Sequence, residues 1–275
     1  MNKKITGVFK IIALLLVLLV ALFPLAWMFI TSSKSMTELL KIPVTILPEN
    51  FTMQSYYEVW VQKPFPRYIW NSLKISVIAT VLGMLVSSMA AYGFAKFRFP
   101  FKKFILMFVL VAQMFPSTSV IIPLFSTYKS YGLYNTHIGL VLLYSTISLA
   151  FSIWMMYGYF RGVPKELEEA ARIDGCGAFK TFKSVILPIS KPGVAAVGVY
   201  AFMCSWNEYL YSLILLTGED KYTISLGLAS FITEFGTYWN QMSAASIIVT
   251  IPTLLIFIIF GRNLIEGLTA GAVKG

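Results

Sequence analysis

Six stretches of about twenty consecutive, mostly apolar residues dominate this sequence of 275 residues and limit what it can fold into. A helix needs about 20 apolar residues to cross the hydrocarbon core of a bilayer. Only 12% of the residues are charged and 57% are apolar, whereas a soluble domain carries roughly 25% charged residues. The sequence therefore predicts an all-α polytopic membrane protein with six transmembrane helices, at residues 11–30, 75–95, 104–125, 138–159, 192–216 and 242–261.

The first apolar segment, residues 11–30, differs from a cleaved signal peptide. Such a peptide has an apolar region of about 7–15 residues followed by a small-residue cleavage site. This segment is longer and ends in Trp27, Met28 and Phe29 without a site of that kind. We therefore expect it to be retained as a transmembrane helix.

Basic residues are distributed unevenly between the two sides of the predicted bundle. Of the 22 Lys and Arg residues, 15 lie in the N-terminus, the second–third connection, the fourth–fifth connection and the C-terminal tail. Six lie in the remaining connections, and Lys74 lies at the mouth of the second span. Lys and Arg accumulate in cytoplasmic loops, so we expect a multi-pass protein with both termini in the cytoplasm. The net charge of +10 is assigned to this orientation rather than to nucleic-acid binding.

Two patterns within the spans concern helix packing. Four small residues recur at intervals of four in the second span, namely Gly83, Ser87, Ala91 and Ala95. Small residues at this spacing let another backbone approach closely, so we expect tight helix packing; a pore-lining role is the alternative. In the third span, Pro116 and Pro123 each remove a backbone donor and kink the helix. Kinked packing and a hinge beside a translocation path are both open interpretations of these prolines.

Residues 31–74 form a long outer connection rich in proline and aromatic residues. Tyr and Trp accumulate at membrane interfaces. Interfacial anchoring and a docking surface for an external partner are both open interpretations.

The fourth–fifth connection has the pattern of two short helices. Proline at 164 suits a helix start, the acidic residues after it suit the positive end of a helix dipole, and Gly175 suits a left-handed stop. Apolar residues then follow at helical spacing, namely Phe179, Phe182, Val185 and Ile186. We expect them to form one face of a second helix that ends at Pro188. A stiff projection of this kind suits force transmission between a cytoplasmic partner and the membrane helices.

The fifth span contains the polar sequence Trp206-Asn207-Glu208. A carboxylate inside a span is costly, so it faces the bundle interior or water and has a partner. In one interpretation, Asn207 and Glu208 hydrogen-bond neighbouring helices and stabilise the bundle. In the other, all three line a translocation path, where an aromatic face and polar groups suit a sugar.

The motifs resemble a known family. Glu169-Ala170-Ala171, followed by Gly175 and Leu187-Pro188, matches the EAA loop of binding-protein-dependent ATP-binding-cassette (ABC) importer permeases. Val185 stands where the family usually has Ile, a mild departure. Further similar stretches are Asp174-Gly175, Lys191-Pro192-Gly193, Trp206-Asn207-Glu208 and the ending at 267–275. Over nearly its whole length the chain is similar to carbohydrate importer permeases, in particular the smaller permease subunit of maltose-type systems.

The resemblance implies a type I ABC importer permease architecture in a bacterial or archaeal cytoplasmic membrane, with the spans embedded in membrane lipid. The chain would be a single permease domain over 1–275, with an N-terminal span at 11–30, core spans over 75–261, a cytoplasmic coupling loop at 160–191 and a C-terminal tail at 262–275. Its implied partners are a second permease subunit in a heterodimer, two cytoplasmic ATPase subunits and an extracytoplasmic substrate-binding protein. Its implied substrate is a sugar or oligosaccharide.

The resemblance also assigns residues. The implied ATPase-coupling residues are Glu168, Glu169, Ala170, Ala171, Asp174, Gly175, Leu187 and Pro188. The tail residues implied to contact the ATPase are Thr269, Ala270, Gly271 and Lys274.

Other functions are less compatible with the sequence. It has no G-x-x-x-x-G-K-[ST] phosphate loop, so we expect ATP and Mg²⁺ on partner subunits, no cofactor or metal on this chain and no enzyme activity of its own. A secondary transporter would have more intramembrane ionisable residues and internal repeats. A membrane enzyme would have clustered Asp, Glu, His or Cys.

Overall fold

A computed structural model describes the backbone of residues 3–272 and the side chains of residues 10–263, and most of this chain is helical. The first long helices are α1 (Lys3–Ser32) and α4 (Phe65–Lys96), with α2 (Met36–Leu39) and α3 (Gln54–Tyr57) between them. The middle of the chain forms α5 (Lys102–Ala112), α6 (Ser117–Ser130), α7 (His137–Ile147) and α8 (Leu149–Gly162). The fourth–fifth connection forms α9 (Lys165–Ile173), α10 (Ala178–Thr181) and α11 (Leu187–Ile189). The remainder forms α12 (Lys191–Trp206), α13 (Leu210–Leu215), α14 (Ile224–Ala229), the antiparallel strands β1 (Ile232–Thr233) and β2 (Gly236–Thr237), and α15 (Trp239–Ala272). Short π-helical turns occupy Glu58–Gln62 and Phe182–Ile186, and a 3₁₀ turn occupies Glu219–Lys221.

Six membrane spans are compatible with the described residues. Three helical segments are long and apolar enough to cross a membrane alone, at Lys10–Ser32, Phe65–Lys96 and Trp239–Asn263. Three bent helix pairs meet the same criterion when the two members are taken together. The all-α polytopic fold expected from the sequence is therefore confirmed, with each bent pair counted as one span.

The third predicted span, 104–125, is wrong as a continuous helix. The axes of α5 and α6 differ by 90° across the break between them. Pro116 precedes α6 with φ −60° and ψ 127°, outside the helical region, so the chain leaves the helix there. Pro123 lies within α6. The first proline therefore separates two helices, and the second is accommodated within one.

The fourth predicted span, 138–159, is also bent. The axes of α7 and α8 differ by 46° around Ser148. The Gln113 side chain donates from Nε2 to the Ile147 carbonyl at 3.0 Å, which satisfies an acceptor at the end of α7. No proline or glycine marks this bend in the sequence.

The fifth predicted span, 192–216, is wrong as one helix because residues 207–209 separate α12 from α13. With 16 residues, α12 is about 24 Å long, less than the roughly 30 Å of a bilayer core. The bent pair that contains α12 joins it instead to residues 178–189, at 84°.

The chain forms two compact units. The first contains the chain up to Arg67 together with Gly227–Ile251, and the second contains Tyr68–Leu226 and the chain from Pro252 onward. The single permease domain over 1–275 stays a prediction.

The second unit has two buried apolar clusters. One joins α4, α7 and α13 through residues such as Ile75, Leu140 and Leu215, and the other joins α4, α8 and α12 through Ala91, Met156, Phe160 and Val197. On the small-residue face of α4, a Cβ at Gly83 would lie 3.0 Å from the Ser145 carbonyl oxygen. This close approach confirms the packing role predicted for that position.

The first unit holds its outer connection with buried polar contacts. The Glu38 Oε1 accepts from the Thr45 hydroxyl at 3.0 Å and from the Glu49 N–H at 2.8 Å, and Lys34 donates to Thr45. The Glu49 N–H holds the pKa of the Glu38 carboxyl below its ordinary value. Ser32 and Tyr56 share a further hydrogen bond of 2.9 Å. The connection is therefore an ordered structure.

Candidate functional site

The first loop helix, α9, begins one residue later than the sequence predicts. Pro164 precedes Lys165 with φ −54° and ψ 138°, one position before the helix rather than at its first residue. Glu166 and Glu168 occupy the first turn, where carboxylates face the positive end of the helix dipole.

The end of α9 at Gly175 confirms the predicted left-handed stop. Gly175 has φ +76°. The Cys176 N–H donates to the Ala171 carbonyl at 2.9 Å, and the Gly175 N–H donates to the Arg172 carbonyl at 3.0 Å. This pair of bonds is the Schellman motif, which satisfies the last carbonyls of a helix. No atom lies within 4 Å of a Cβ built on Gly175, so backbone conformation rather than space selects glycine here.

The two faces of α9 have different surroundings. Glu168 and Ala171 are buried, whereas Glu169 and Ala170 are exposed. Apolar side chains extend the exposed face, because Ile173 is 87% and Phe179 is 69% exposed. Asp174 and Gly175 are exposed as well. The structure thus separates the six predicted coupling residues between 168 and 175 into a buried inner set and an exposed outer set.

The inner face of α9 is held to the end of α4. Lys96 and Glu168 form an ion pair whose two side chains are each 11% exposed. Lys96 also donates to the Val163 carbonyl at 3.4 Å, and the Tyr92 hydroxyl donates to the Ala178 carbonyl at 3.2 Å. Sequence reasoning missed Lys96 because 72 positions separate it from Glu168. The three-residue spacing of Glu168 and Ala171 indicated that both lie on one face of α9, but it did not identify the residue that this face contacts.

The second loop segment departs from prediction at both ends. Phe182 and Ile186 are buried against α4, α8 and α12. Phe179 is 69% exposed, although its ring centroid lies 6.5 Å from that of Phe182. The helical segment continues through Pro188 to Ile189. A π-helical turn precedes the proline, and wider turns of this kind accommodate a missing N–H. Leu187 packs partly buried against the same cluster, and Pro188 is exposed.

Glu208 occupies the break between α12 and α13. It accepts from the Tyr144 hydroxyl at 2.7 Å, from the Tyr211 N–H at 2.9 Å and from the Ser212 N–H at 3.3 Å. The carboxylate therefore satisfies two backbone donors at the start of α13 and contacts α7. Tyr144 is 1% exposed and is a second residue that sequence reasoning missed.

The neighbours of Glu208 have different environments. Trp206 is 2% exposed and stacks on Phe202 with ring centroids 5.6 Å apart. Its Nε1–H has no acceptor among the described residues. Asn207 is exposed and donates to the Met203 carbonyl of its own helix at 3.0 Å. The three predicted path residues thus do not share one surface in this structure.

A cavity of about 660 Å³ lies between the α5–α6 bend and the α7–α8 bend. Its wall is mostly apolar, with polar groups from Gln113, Ser117, Thr146 and Tyr211. Trp206, Asn207 and Glu208 are not part of its lining.

The predicted tail contacts lie beyond the described side chains. The tail residues Thr269, Ala270, Gly271 and Lys274 lie outside the residues whose side chains are described. Within residues 10–263, no three His, Cys, Asp or Glu side chains lie close enough together to hold a metal ion.

Comparison with known proteins gives the family. A family model described as "Binding-protein-dependent transport system inner membrane component" matches residues 79–268. The trehalose/maltose transport system permease MalG of Thermococcus litoralis is 33% identical, covering 100% of this chain and 99% of that protein. The trehalose transport system permease SugB of Mycobacterium tuberculosis is 34% identical over 93% of each chain. The diacetylchitobiose uptake permease NgcG of Streptomyces coelicolor is 32% identical over 93% of this chain and 85% of that one.

A solved structure has the same fold. It is a chain of a bacterial ABC transporter involved in the import of alginate, with a TM-score of 0.80 and 22% identity, covering 95% of this chain and 98% of that one. The match supports the type I importer architecture implied by the EAA loop. The chain therefore belongs to the family of binding-protein-dependent transport system inner membrane components, the membrane-spanning permeases of ABC importers.

Proposed function

We propose that this permease imports a sugar or oligosaccharide, that it forms half of a translocation path with a second permease subunit, and that separate ATPase subunits drive it by docking on the outer face of α9. An extracytoplasmic binding protein delivers the substrate. This chain binds neither ATP nor a metal.

The observation that carries the proposal is the construction of the 160–191 loop. Its exposed face presents Glu169, Ala170 and Ile173 to solvent. Its inner face is fixed to α4 by the Lys96–Glu168 ion pair and by buried Phe182 and Ile186. A projection that is exposed on one side and rigidly attached on the other can transmit a displacement without absorbing it.

The exposure of α1 supports a second membrane subunit. Among the residues whose side chains are described, none from Lys10 to Ile30 in α1 is buried. A partner helix or lipid must therefore cover its apolar side chains. A related permease subunit would enclose a path together with this one.

The substrate class follows from the relatives. They are named as permeases for trehalose and maltose, for diacetylchitobiose and for arabino-oligosaccharides, and a structural neighbour was solved with an alginate pentasaccharide-bound periplasmic protein. Within this chain, Asn207 and Glu208 are the proposed polar elements of the path, whereas Trp206, which is 2% exposed, packs against Phe202 inside the chain. Exposed Asn207 has the most direct access to the path.

The test is reconstitution with candidate partners. We expect the chain to purify with ATPase subunits, and we expect ATP hydrolysis to rise when a sugar-loaded binding protein is added. Glu169→Lys should reduce ATPase recovery because it reverses a charge on the outer face of α9. Glu234→Lys, which makes the same charge change in the β1–β2 hairpin, is the matched control. Normal recovery with Glu169→Lys, or no response to any loaded binding protein, would contradict the proposal.

A further inference from the structure

A basic cavity of about 510 Å³ lies beside α9, where Glu168 of the inner face and Glu169 of the outer face both line it. The end of α4, the start of α5, the end of α8 and α9 itself form its wall. Among the side chains that the structure describes, seven Lys and Arg and two Glu line it. Its wall therefore carries an excess of five positive charges.

Most of these cations lack a counter-charge. Lys96 pairs with Glu168, but Arg98, Lys103 and Arg161 form no ion pair within residues 10–263. Lys102 lies over the Tyr157 ring, 5.7 Å from its centroid. Like charges held around one cavity repel one another, so an anion in the cavity would relieve the repulsion.

The start of α5 adds backbone donors to the same place. Phe101 precedes α5 with φ 59°. Its side chain has no polar atom, so it cannot accept a hydrogen bond from the N–H groups of the first turn. The first N–H groups of an α-helix have no partner within the helix and favour an anion, above all a phosphate. The 11 residues of α5 begin at Lys102, in the cavity wall.

An aromatic surface adjoins the basic one. A second cavity of about 510 Å³ shares Arg98, Lys102 and Lys103 with the first and is otherwise lined by Phe99, Phe101 and Phe104. Phe101 is 77% and Phe104 is 61% exposed. Basic groups next to exposed aromatic rings suit a ligand with a phosphate at one end and apolar chains at the other, whereas a soluble anion would leave the rings uncovered.

We propose that this cavity binds the headgroup phosphate of an anionic phospholipid from the cytoplasmic leaflet, with the acyl chains against Phe101 and Phe104. The proposal rests on the proposed orientation, which places the α4–α5 turn at the cytoplasmic surface. Basic pockets between transmembrane helices on that side suit anionic lipid headgroups. Because Glu168 and Arg172 of α9 line the same cavity, the lipid would also stabilise the attachment of the coupling loop.

Lipid retention tests the proposal directly. The purified importer complex is equilibrated with dioleoylphosphatidylglycerol or dioleoylphosphatidylcholine, and native mass spectrometry counts the retained lipids. We expect preferential retention of the phosphatidylglycerol. The double variant Arg98→Gln/Lys103→Gln should weaken it on the order of tenfold, since each basic residue near an anionic surface contributes several-fold. Lys180→Gln/Lys183→Gln removes two charges from exposed positions of the loop outside the cavity and should retain the lipid as wild type does.

Three outcomes would overturn the proposal. One is equal retention of the two lipids by the wild-type complex, and another is unchanged retention in Arg98→Gln/Lys103→Gln. The third is complete displacement by glycerol phosphate without acyl chains, which would identify a site for a soluble anion. Lys103→Arg keeps the charge and should restore binding relative to Lys103→Gln, which separates charge from misfolding. Recovery of ATPase subunits with each variant tests the proposed function separately.

Discussion

At the scale of single residues, Glu208 shows how a carboxylate can be accommodated in an apolar segment. Two backbone N–H groups and the Tyr144 hydroxyl donate to it, so it satisfies the start of α13 and links it to α7. Within the described residues it forms no ion pair. Neutral donors, rather than a basic side chain, therefore satisfy the carboxylate oxygens of Glu208.

We predict that Glu208→Gln destabilises the importer complex. The amide keeps the shape but accepts through one oxygen only, and charge-assisted hydrogen bonds are worth about 1.5–3 kcal/mol each. Tyr144→Phe removes one of the three donors and should cost less. Glu219→Gln removes the carboxylate that accepts from Tyr68 at 2.9 Å and is the matched control at an exposed position. Thermal unfolding of the purified complex measures all three.

Transport measurements separate the two roles proposed for Glu208. A role in assembly predicts a lower complex yield in Glu208→Gln. A role in the path predicts normal yield with an altered uptake rate or sugar preference. Wild-type yield, stability and uptake in both Glu208→Gln and Glu208→Ala would exclude both roles.

Gly175 provides a second prediction at this scale. A side chain at φ +76° costs about 1–2 kcal/mol, and more when it is β-branched. Gly175→Val should therefore misdirect the chain after α9 and reduce ATPase recovery on purification. Gly175→Asn should be milder, because Asn tolerates the left-handed region. Equal ATPase recovery and equal sugar-stimulated hydrolysis in the two variants would show that the conformation at Gly175 is not needed for coupling.

At the scale of elements, the attachment of α9 to α4 depends on one largely buried ion pair. Removing one member of such a pair leaves an uncompensated charge and costs about 3–5 kcal/mol. We therefore predict that Lys96→Met or Glu168→Leu alone destabilises the complex strongly, and that the double variant recovers most of the loss. A double-mutant cycle on thermal unfolding measures the coupling. Additive losses in the double variant would mean that the two side chains do not interact.

Local sequence patterns predicted the first helix of the loop and its end at Gly175. They did not predict contacts between residues that are far apart in the sequence. The Schellman motif at Gly175 could be predicted because it needs a glycine-like residue with positive φ at one position, and the sequence has glycine there. The Lys96–Glu168 pair depends on how α9 docks, which no local pattern encodes. Pro116 signalled an interruption but not a 90° turn. The bend at Ser148 could not be predicted because no proline or glycine lies beside it. At Pro188 the sequence predicted the end of a helix, but the π-helical turn before the proline allows the helix to continue.

At the scale of the whole molecule, hydrophobicity predicted six spans because the bilayer requires each crossing to be long and apolar. It did not predict which spans would be bent, since a broken helix and a straight one have the same composition. It also did not predict that the described part of the first span, residues 10–30, would contain no buried side chain. The bends and the exposure of the first span depend on contacts with neighbouring helices and partners. Hydrophobicity reports only whether a segment can insert into the membrane, so it could not predict them.

The orientation of the chain is the final prediction, motivated by the 15 basic residues on one side and six on the other. In a variant with Cys176 and Cys204 replaced by serine, a new cysteine at Glu234 should react with a membrane-impermeant maleimide in intact cells. A new cysteine at Glu166, exposed in the first turn of α9, should react only after permeabilisation. The two positions are matched because each replaces an exposed glutamate. The reverse labelling pattern would place the coupling loop outside the cell, where no ATPase could dock, and would remove the basis for both the ATPase interface and the cytoplasmic lipid site.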